Sequence, residues 1–519
     1  MPSINVQFEY LVGLRGHGFT GATLTGDWDA QGRKSASWHD QPMERFTAED
    51  GCIGFRTVVS FDDSQLTETF HWGVQLRSER FANTVWGIAT EVNEGTSSAC
   101  NRVFQLNSQL AVQRYYLTHC RRLGANKFWQ DGQIAGVRFA VWAPNASQVQ
   151  LVRGCVESGY VYDDGTGAVA TFPMRRDTEG IWYCDPTVDS TLADYAEFEH
   201  SPYMYRITRA GDTSGVKYRT DLYSRCQIGS GRSNPEDPKS PAWSGRRQDL
   251  DGAKSCSVVV DPERVVRVFR ETNTECVSVF PETDWTDVEL FWADEFVPDR
   301  PLPTRLDDLV IYELHVDGLG VARDPADRGR LEDALALLDY LVELGVNCIE
   351  LLPFSEYEGW ANWGYATSHY AAIEYAGGGR DQFKHFVKQC HRRGIAVIFD
   401  VVYNHFTPDG ERAEWMYDSV EHDQNVYYWY EGRPGDYPAF DAARPEQRGH
   451  GGYVDNMSTG YAPRYSEEMV RKLFISSAAA LVNEFHVDGF RVDQTTSIHA
   501  YAVVHADGRP ASAARAFGA

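Results

Sequence analysis

After Pro301-Leu-Pro303 the chain changes period, and that change limits the folds open to it more than any other feature. Short apolar runs alternate with amphipathic helical stretches, the pattern of a parallel sheet built from βαβ units. The first run spans 309–316. A helix follows, with Leu331, Leu335, Leu338 and Leu341 on one stripe, and ends at Gly345. The second run spans 346–353. The next helix opens at Asp381, buries Phe383, Phe386, Val387 and Cys390, places Arg392 and Arg393 in its last turn and stops at Gly394. A third run, 395–402, precedes residues 403–465, a 63-residue excursion with 13 aromatic residues. Connections in such units need only a few residues, so one of this length points to function. A helix from Ser466 to about Phe485 leads into the fourth run, 486–493.

Upstream the texture is different. From 1 to 122, short alternating runs such as Phe55-Arg-Thr-Val-Val59 are broken by Gly, Asp and Asn, which predicts a β-sandwich. A second β-rich stretch, 123–300, opens with Gly136-Val-Arg-Phe-Ala-Val-Trp-Ala-Pro-Asn-Ala146 and also reads as a sandwich, with 229–254 as a long loop. The expected architecture is therefore two β-sandwich modules followed by an incomplete α/β barrel over 301–519.

Composition narrows the partners. A net charge of −25 disfavours nucleic acid and anionic membrane, while 13% aromatic residues suit stacking on neutral, ring-shaped ligands. Ten cysteines without a C-x-x-C pair read as reduced thiols. The absence of a basic, then apolar, leader and of any apolar stretch of about 18 residues leads to the expectation of a soluble, cytoplasmic protein.

Charged residues stand where buried parallel strands should be apolar. Asp400, followed by Asn404-His405, ends the third run; Arg491 and Asp493 end the fourth. A single such residue is usually a solvated cap, but two clusters on neighbouring strands mark the face of a barrel where βα loops converge. With period 2, Arg491 and Asp493 point the same way, so the guanidinium can keep the carboxylate ionised and nucleophilic. An ionised Asp among aromatic rings suits attack on a sugar acetal. That chemistry also needs a second, protonated carboxyl about 5–5.5 Å away.

The strings Asp400-Val-Val-Tyr-Asn404-His405 and Gly489-Phe-Arg491-Val-Asp493 resemble the first two signature regions of the α-amylase family of α-glucan hydrolases and transglycosylases. Trp363-Gly-Tyr365 resembles its substrate-stacking segment. Phe139-Ala-Val-Trp-Ala-Pro-Asn145 resembles the opening of the glycan-binding sandwich that precedes the barrel in branching and debranching members. The resemblance covers about 126–505. It implies that Asp493 is the nucleophile, Arg491 its ion-pair partner, Asp400 a structural carboxylate beneath the site, and His405 a donor to the bound sugar, with Tyr365 and Trp363 stacking on substrate. Asn404 matches a position that binds calcium in many amylases, although branching-type members often lack the metal; no cofactor is expected. The run Gly377-Gly-Gly379 lacks the remainder of a phosphate-loop motif and reads as a turn into the helix capped near Asp381.

A barrel needs eight strands, and four are visible before Ala519. The family's acid/base Glu lies at the end of the fifth. The expectation is a chain truncated after the fourth strand, inactive by itself, whose ancestral activity on α-glucan (glycogen, starch or maltooligosaccharides) is 1,4-α-glucan branching. Trehalose-releasing or debranching hydrolysis is the alternative within the family, and a non-catalytic α-glucan-binding protein the alternative outside it. In the first module, Trp28, Trp38, Met43 and Trp72 are similar to the residues of starch-binding sandwiches, with burial of Trp28 and Trp72 in the core as the competing reading. Oligomeric state is not legible.

Overall fold

The structure is a computed structural model that describes residues 3–79, 81–89, 100–154, 161, 165, 167–211, 217–229, 255–266, 285–322, 329–357, 363–407, 418, 426–427, 460–465, 467–495 and 498. The loop expected at 229–254 lies almost wholly outside these residues, as does most of the 403–465 excursion.

The first module is one continuous eight-stranded sheet rolled on itself rather than two separate sheets. The Lys34–Thr47 strand makes this possible. Its first part pairs with Phe19–Trp28 and its last four residues pair with Ile53–Asp62, so one long strand serves both layers. Between the layers sits an aromatic core of Phe8, Trp28, Phe61, Phe70, Trp72 and Phe104. Trp28 and Trp72 are fully buried, which decides for the core reading of both; Met43 joins them. Alternation explains it: Trp72, Val74 and Leu76 face inward on the Thr69–Ser78 strand, and Gly73 and Gln75 face outward.

The second module is a sandwich. A four-stranded sheet containing Gly124–Gln130 and Gln133–Trp142 faces a larger one built on Ala146–Arg153 and Pro202–Arg209. Phe139, Val149, Ile181, Tyr203 and Tyr205 fill the space between.

The third region holds four parallel strands in sequence order: Ile311–Leu314, Cys348–Leu351, Ala396–Val401 and Gly489–Val492. The predicted helices are present as Leu331–Glu343, Gly379–His391 and Glu468–Phe485. The second opens two residues before Asp381 and is capped by Gly378, not near Asp381. Gly378 sits at φ 140°, a backbone state that side-chain-bearing residues avoid. Arg392 and Arg393 stand just past its end, paired with Asp294 and Asp339. An antiparallel pair, Ser355–Tyr357 with Thr367–Ile373, was not anticipated; it turns back over the end of the second strand.

The Glu468–Phe485 helix joins the modules. Val470, Leu473 and Phe474 enter the sandwich core, Ala480 the first module's core, and Leu481 and Phe485 the core of the parallel sheet. Its polar groups do the same. Lys472 donates to the Tyr115 hydroxyl (2.7 Å), Ser476 accepts from the His119 amide (2.8 Å), and Ser477 donates to the Tyr370 carbonyl (2.6 Å). Glu484 is buried opposite Arg225 and Arg380. Burial alone would raise its carboxyl, but Arg225, Arg121, Arg380 and Lys384 outweigh that and hold it at about 2. A carboxylate depressed in this way stabilises the fold above pH 4.5 and loses that contribution as pH falls through about 2. Glu484→Gln removes the carboxylate shared by these buried cations and is expected to cost about 3 kcal/mol. It should also flatten the fall in stability between pH 4.5 and 2, as measured by denaturant midpoints across that range.

Candidate active site

The parallel register sets the site. Asp400 on the third strand is the direct partner of Arg491 on the fourth, so both side chains leave the same face near the strands' carboxyl ends. Arg491 Nη1 donates to Asp400 Oδ2 at 2.8 Å and Oδ1 at 3.1 Å, and to Asp493 Oδ1 at 2.6 Å. Asn404 Nδ2 donates to the other Asp493 oxygen at 2.8 Å. The backbone amide of Asp493 is tied to the Val401 carbonyl at 3.0 Å. Both carboxylate oxygens of Asp493 are thus oriented by donors, while its side chain remains 17% exposed.

Asp400 differs in kind. Its side chain is 2% exposed, with oxygens occupied by Arg491 and by the Tyr365 hydroxyl at 2.8 Å. Burial pushes its carboxyl up to about 6 and the nearby Asp493 adds to that, while the Tyr365 and Arg491 hydrogen bonds pull the other way. Arg491 is held above its ordinary range: burial opposes its charge, and the Asp400 bond and surrounding carboxylates more than compensate.

Tyr365 reaches Asp400 because of Gly364. That glycine has φ 91°, and a Cβ there would lie 1.9 Å from the Pro353 carbonyl oxygen. The adjoining Trp363 also adopts a left-handed backbone, φ 59°, and is 62% exposed. Tyr365 was expected as a stacking ring; the structure ties its hydroxyl to Asp400 and sets its ring 5.8 Å from the Arg491 guanidinium.

His405 is buried, with Nδ1 against Asn404 Oδ1, so the Asn404 amide presents its nitrogen to Asp493 and its oxygen to His405. Among the described residues no group of three or more His, Cys, Asp or Glu side chains could hold a metal ion. Sequence reasoning missed a supporting layer. Tyr370 donates to the His405 carbonyl at 2.9 Å, Tyr465 donates to the Tyr403 carbonyl, and Tyr403 shares a hydrogen bond with Ser477 at 2.9 Å. Only Tyr403 carried a signal, its place inside the 400–405 string.

Two family models match the chain. Residues 316–511 match the α-amylase catalytic domain, and 122–224 match carbohydrate-binding module 48, the isoamylase N-terminal domain. The α-amylase match contains the whole Asp400–Arg491–Asp493–Asn404 cluster. Among curated relatives, the malto-oligosyltrehalose trehalohydrolase of Saccharolobus solfataricus is 31% identical over 207 residues, which is 40% of this chain and 30% of that protein. The 1,4-α-glucan branching enzyme GlgB of Albidiferax ferrireducens is 27% identical over 364 residues, 70% of this chain and 44% of that protein. The chloroplastic isoamylase 1 of Oryza sativa subsp. japonica is 33% identical over 216 residues, 38% of this chain and 25% of that protein. The chain spans a quarter to just under half the length of these relatives.

The Tyr365 hydroxyl is one of the groups that hold the Asp400 carboxyl down. Tyr365→Phe is therefore expected to move Asp400 above about 6, seen by carboxyl ¹³C NMR titration. A downward shift would contradict the hydrogen-bond assignment.

Proposed function

We propose that this chain carries the nucleophile of a retaining α-glucan transglycosylase, and that the complete activity is 1,4-α-glucan branching. The observation that carries the reading is the Asp493 carboxylate, oriented on both oxygens by Arg491 and Asn404 yet open to solvent at a strand end. The carboxylate attacks the anomeric carbon as the bond to the leaving oxygen breaks, giving a glycosyl ester. An acceptor hydroxyl then attacks the same carbon and releases Asp493. Two inversions retain the configuration.

The first step needs an acid to protonate the leaving oxygen, and Asp400 does not fit. Its raised value suits an acid, but its oxygens face Tyr365 and Arg491 inside the protein rather than the cleft. We assign the acid/base to a residue outside the described set. Branching is favoured over trehalose release or debranching because the similarity to GlgB extends over 70% of this chain, against 40% and 38% for the trehalohydrolase and isoamylase.

A glycosyl fluoride separates the two halves of this proposal, since fluoride leaves without a proton. The 519-residue chain with α-maltotriosyl fluoride should gain the mass of one maltotriosyl group, and Asp493→Asn should not. Amylose treated with the protein purified from its native source should show new α-1,6 anomeric protons. New reducing ends without α-1,6 signals would overturn branching, and no adduct with the fluoride would overturn Asp493 as nucleophile.

A further inference from the structure

We infer that the outer face of the first module carries a second α-glucan site, built on Trp38 and Trp86 and separate from the Asp493 cleft. Both rings are exposed, at 40% and 42%, whereas Trp28 and Trp72 of the same module are fully buried. They come from different parts of the rolled sheet, Trp38 from the Lys34–Thr47 strand and Trp86 from the end of Phe81–Trp86. Two strands lie between them in the sheet order. Even so, the ring centroids are 6.5 Å apart, with the planes inclined by 56°.

The arrangement is held in place. Gly73, on the strand next to Trp86, leaves room for the indole: a Cβ there would fall 2.2 Å from Trp86 Cζ2. The Trp86 indole N–H donates to the Cys100 carbonyl, which fixes the ring about its long axis. Register places Gly73, Thr25 and Asp40 in one row across three strands, on the face opposite Trp72, Val74 and Leu24. Trp38 precedes Asp40 by two residues and shares that face. The exposed Asp40 carboxylate can accept hydrogen bonds from hydroxyl groups beside the rings.

Two inclined aromatic platforms select the shape of their ligand. An α-1,4-glucan coils because of its axial bond at C1, so neighbouring glucose faces are turned relative to each other. A β-1,4-glucan is a flat ribbon and asks for coplanar rings. The 56° inclination therefore fits a coiled chain. Asp40 and the net charge of −25 disfavour polyanions, leaving a neutral saccharide. The patch lies outside both regions matched by family models. It would hold a glucan chain on the protein whatever the catalytic segment does with it.

The test uses the 519-residue chain with ¹⁵N-labelled tryptophan and β-cyclodextrin as the coiled α-glucan probe. Trp38→Phe and Trp86→Phe assign the two indole N–H signals. The expected result is that both signals shift on titration, and that Trp38→Ala and Trp86→Ala each weaken the site by about tenfold with an unchanged melting temperature. Gly73→Ala, which displaces the Trp86 ring without removing it, should weaken binding in the same direction. Asp493→Asn should leave both shifts intact, so failure of the catalytic reading would not be mistaken for failure of this one. Unmoved Trp38 and Trp86 signals at saturating cyclodextrin, or unchanged affinity in the Trp38→Ala/Trp86→Ala variant, would overturn the site. Equal shifts with cellohexaose would overturn its selectivity for coiled glucan.

Discussion

The structure depends on one helix being buried on nearly every side. Glu468–Phe485 puts apolar side chains into three hydrophobic cores at once, those of the rolled sheet, the sandwich and the parallel sheet. A helix on a protein surface buries one stripe and leaves the rest to water. Here the remaining faces carry Lys472 and Ser476, matched to Tyr115 and His119 of the first module, Ser477, matched to Tyr370 beside the parallel sheet, and Glu484, matched to Arg225 of the second module. Losing one partner strands a buried donor or charge, which costs more than the hydrogen bond contributes. The three modules are therefore coupled through this helix.

That coupling reaches the site. Ser477 meets the Tyr370 carbonyl and the Tyr403 hydroxyl, Tyr370 in turn holds the His405 carbonyl, and His405 leans on Asn404, which orients Asp493. A carboxylate intended as a nucleophile has to stay ionised and oriented while leaving its attacking edge open. Arg491 and Asn404 orient both carboxylate oxygens of Asp493, and its position at the strand end leaves the side chain partly exposed. Asp400 beside it shows the same side chain enclosed: burial lifts its carboxyl to about 6, and its oxygens are taken by Arg491 and Tyr365.

Much of the parallel-sheet region was legible because its signals are local or strictly periodic. The four parallel strands and three helices follow from apolar runs, helical stripes and terminating glycines. Arg491 and Asp493 share a face by period alone. The Ser355–Tyr357/Thr367–Ile373 pair was not legible, since its three-residue first strand is too short to show alternation. The helix boundary at Gly378 escaped for another reason: an acidic residue is a familiar cap signal, whereas Gly378 makes no side-chain cap and marks the start only through a backbone state open to glycine.

The sequence by itself determined which residues could do chemistry and on which strands they stand, because side-chain type and two-residue period are written in the chain. Only the tertiary structure decided what each of them faces. It buried Trp28 and Trp72 and brought Trp38 beside Trp86, although the four share one module and one residue type. It gave the Tyr365 hydroxyl to the Asp400 carboxylate. The reason is the same in each case: exposure and hydrogen-bond partners arise where distant strands meet, and the register of that meeting is set by the packed cores rather than by any local run of residues.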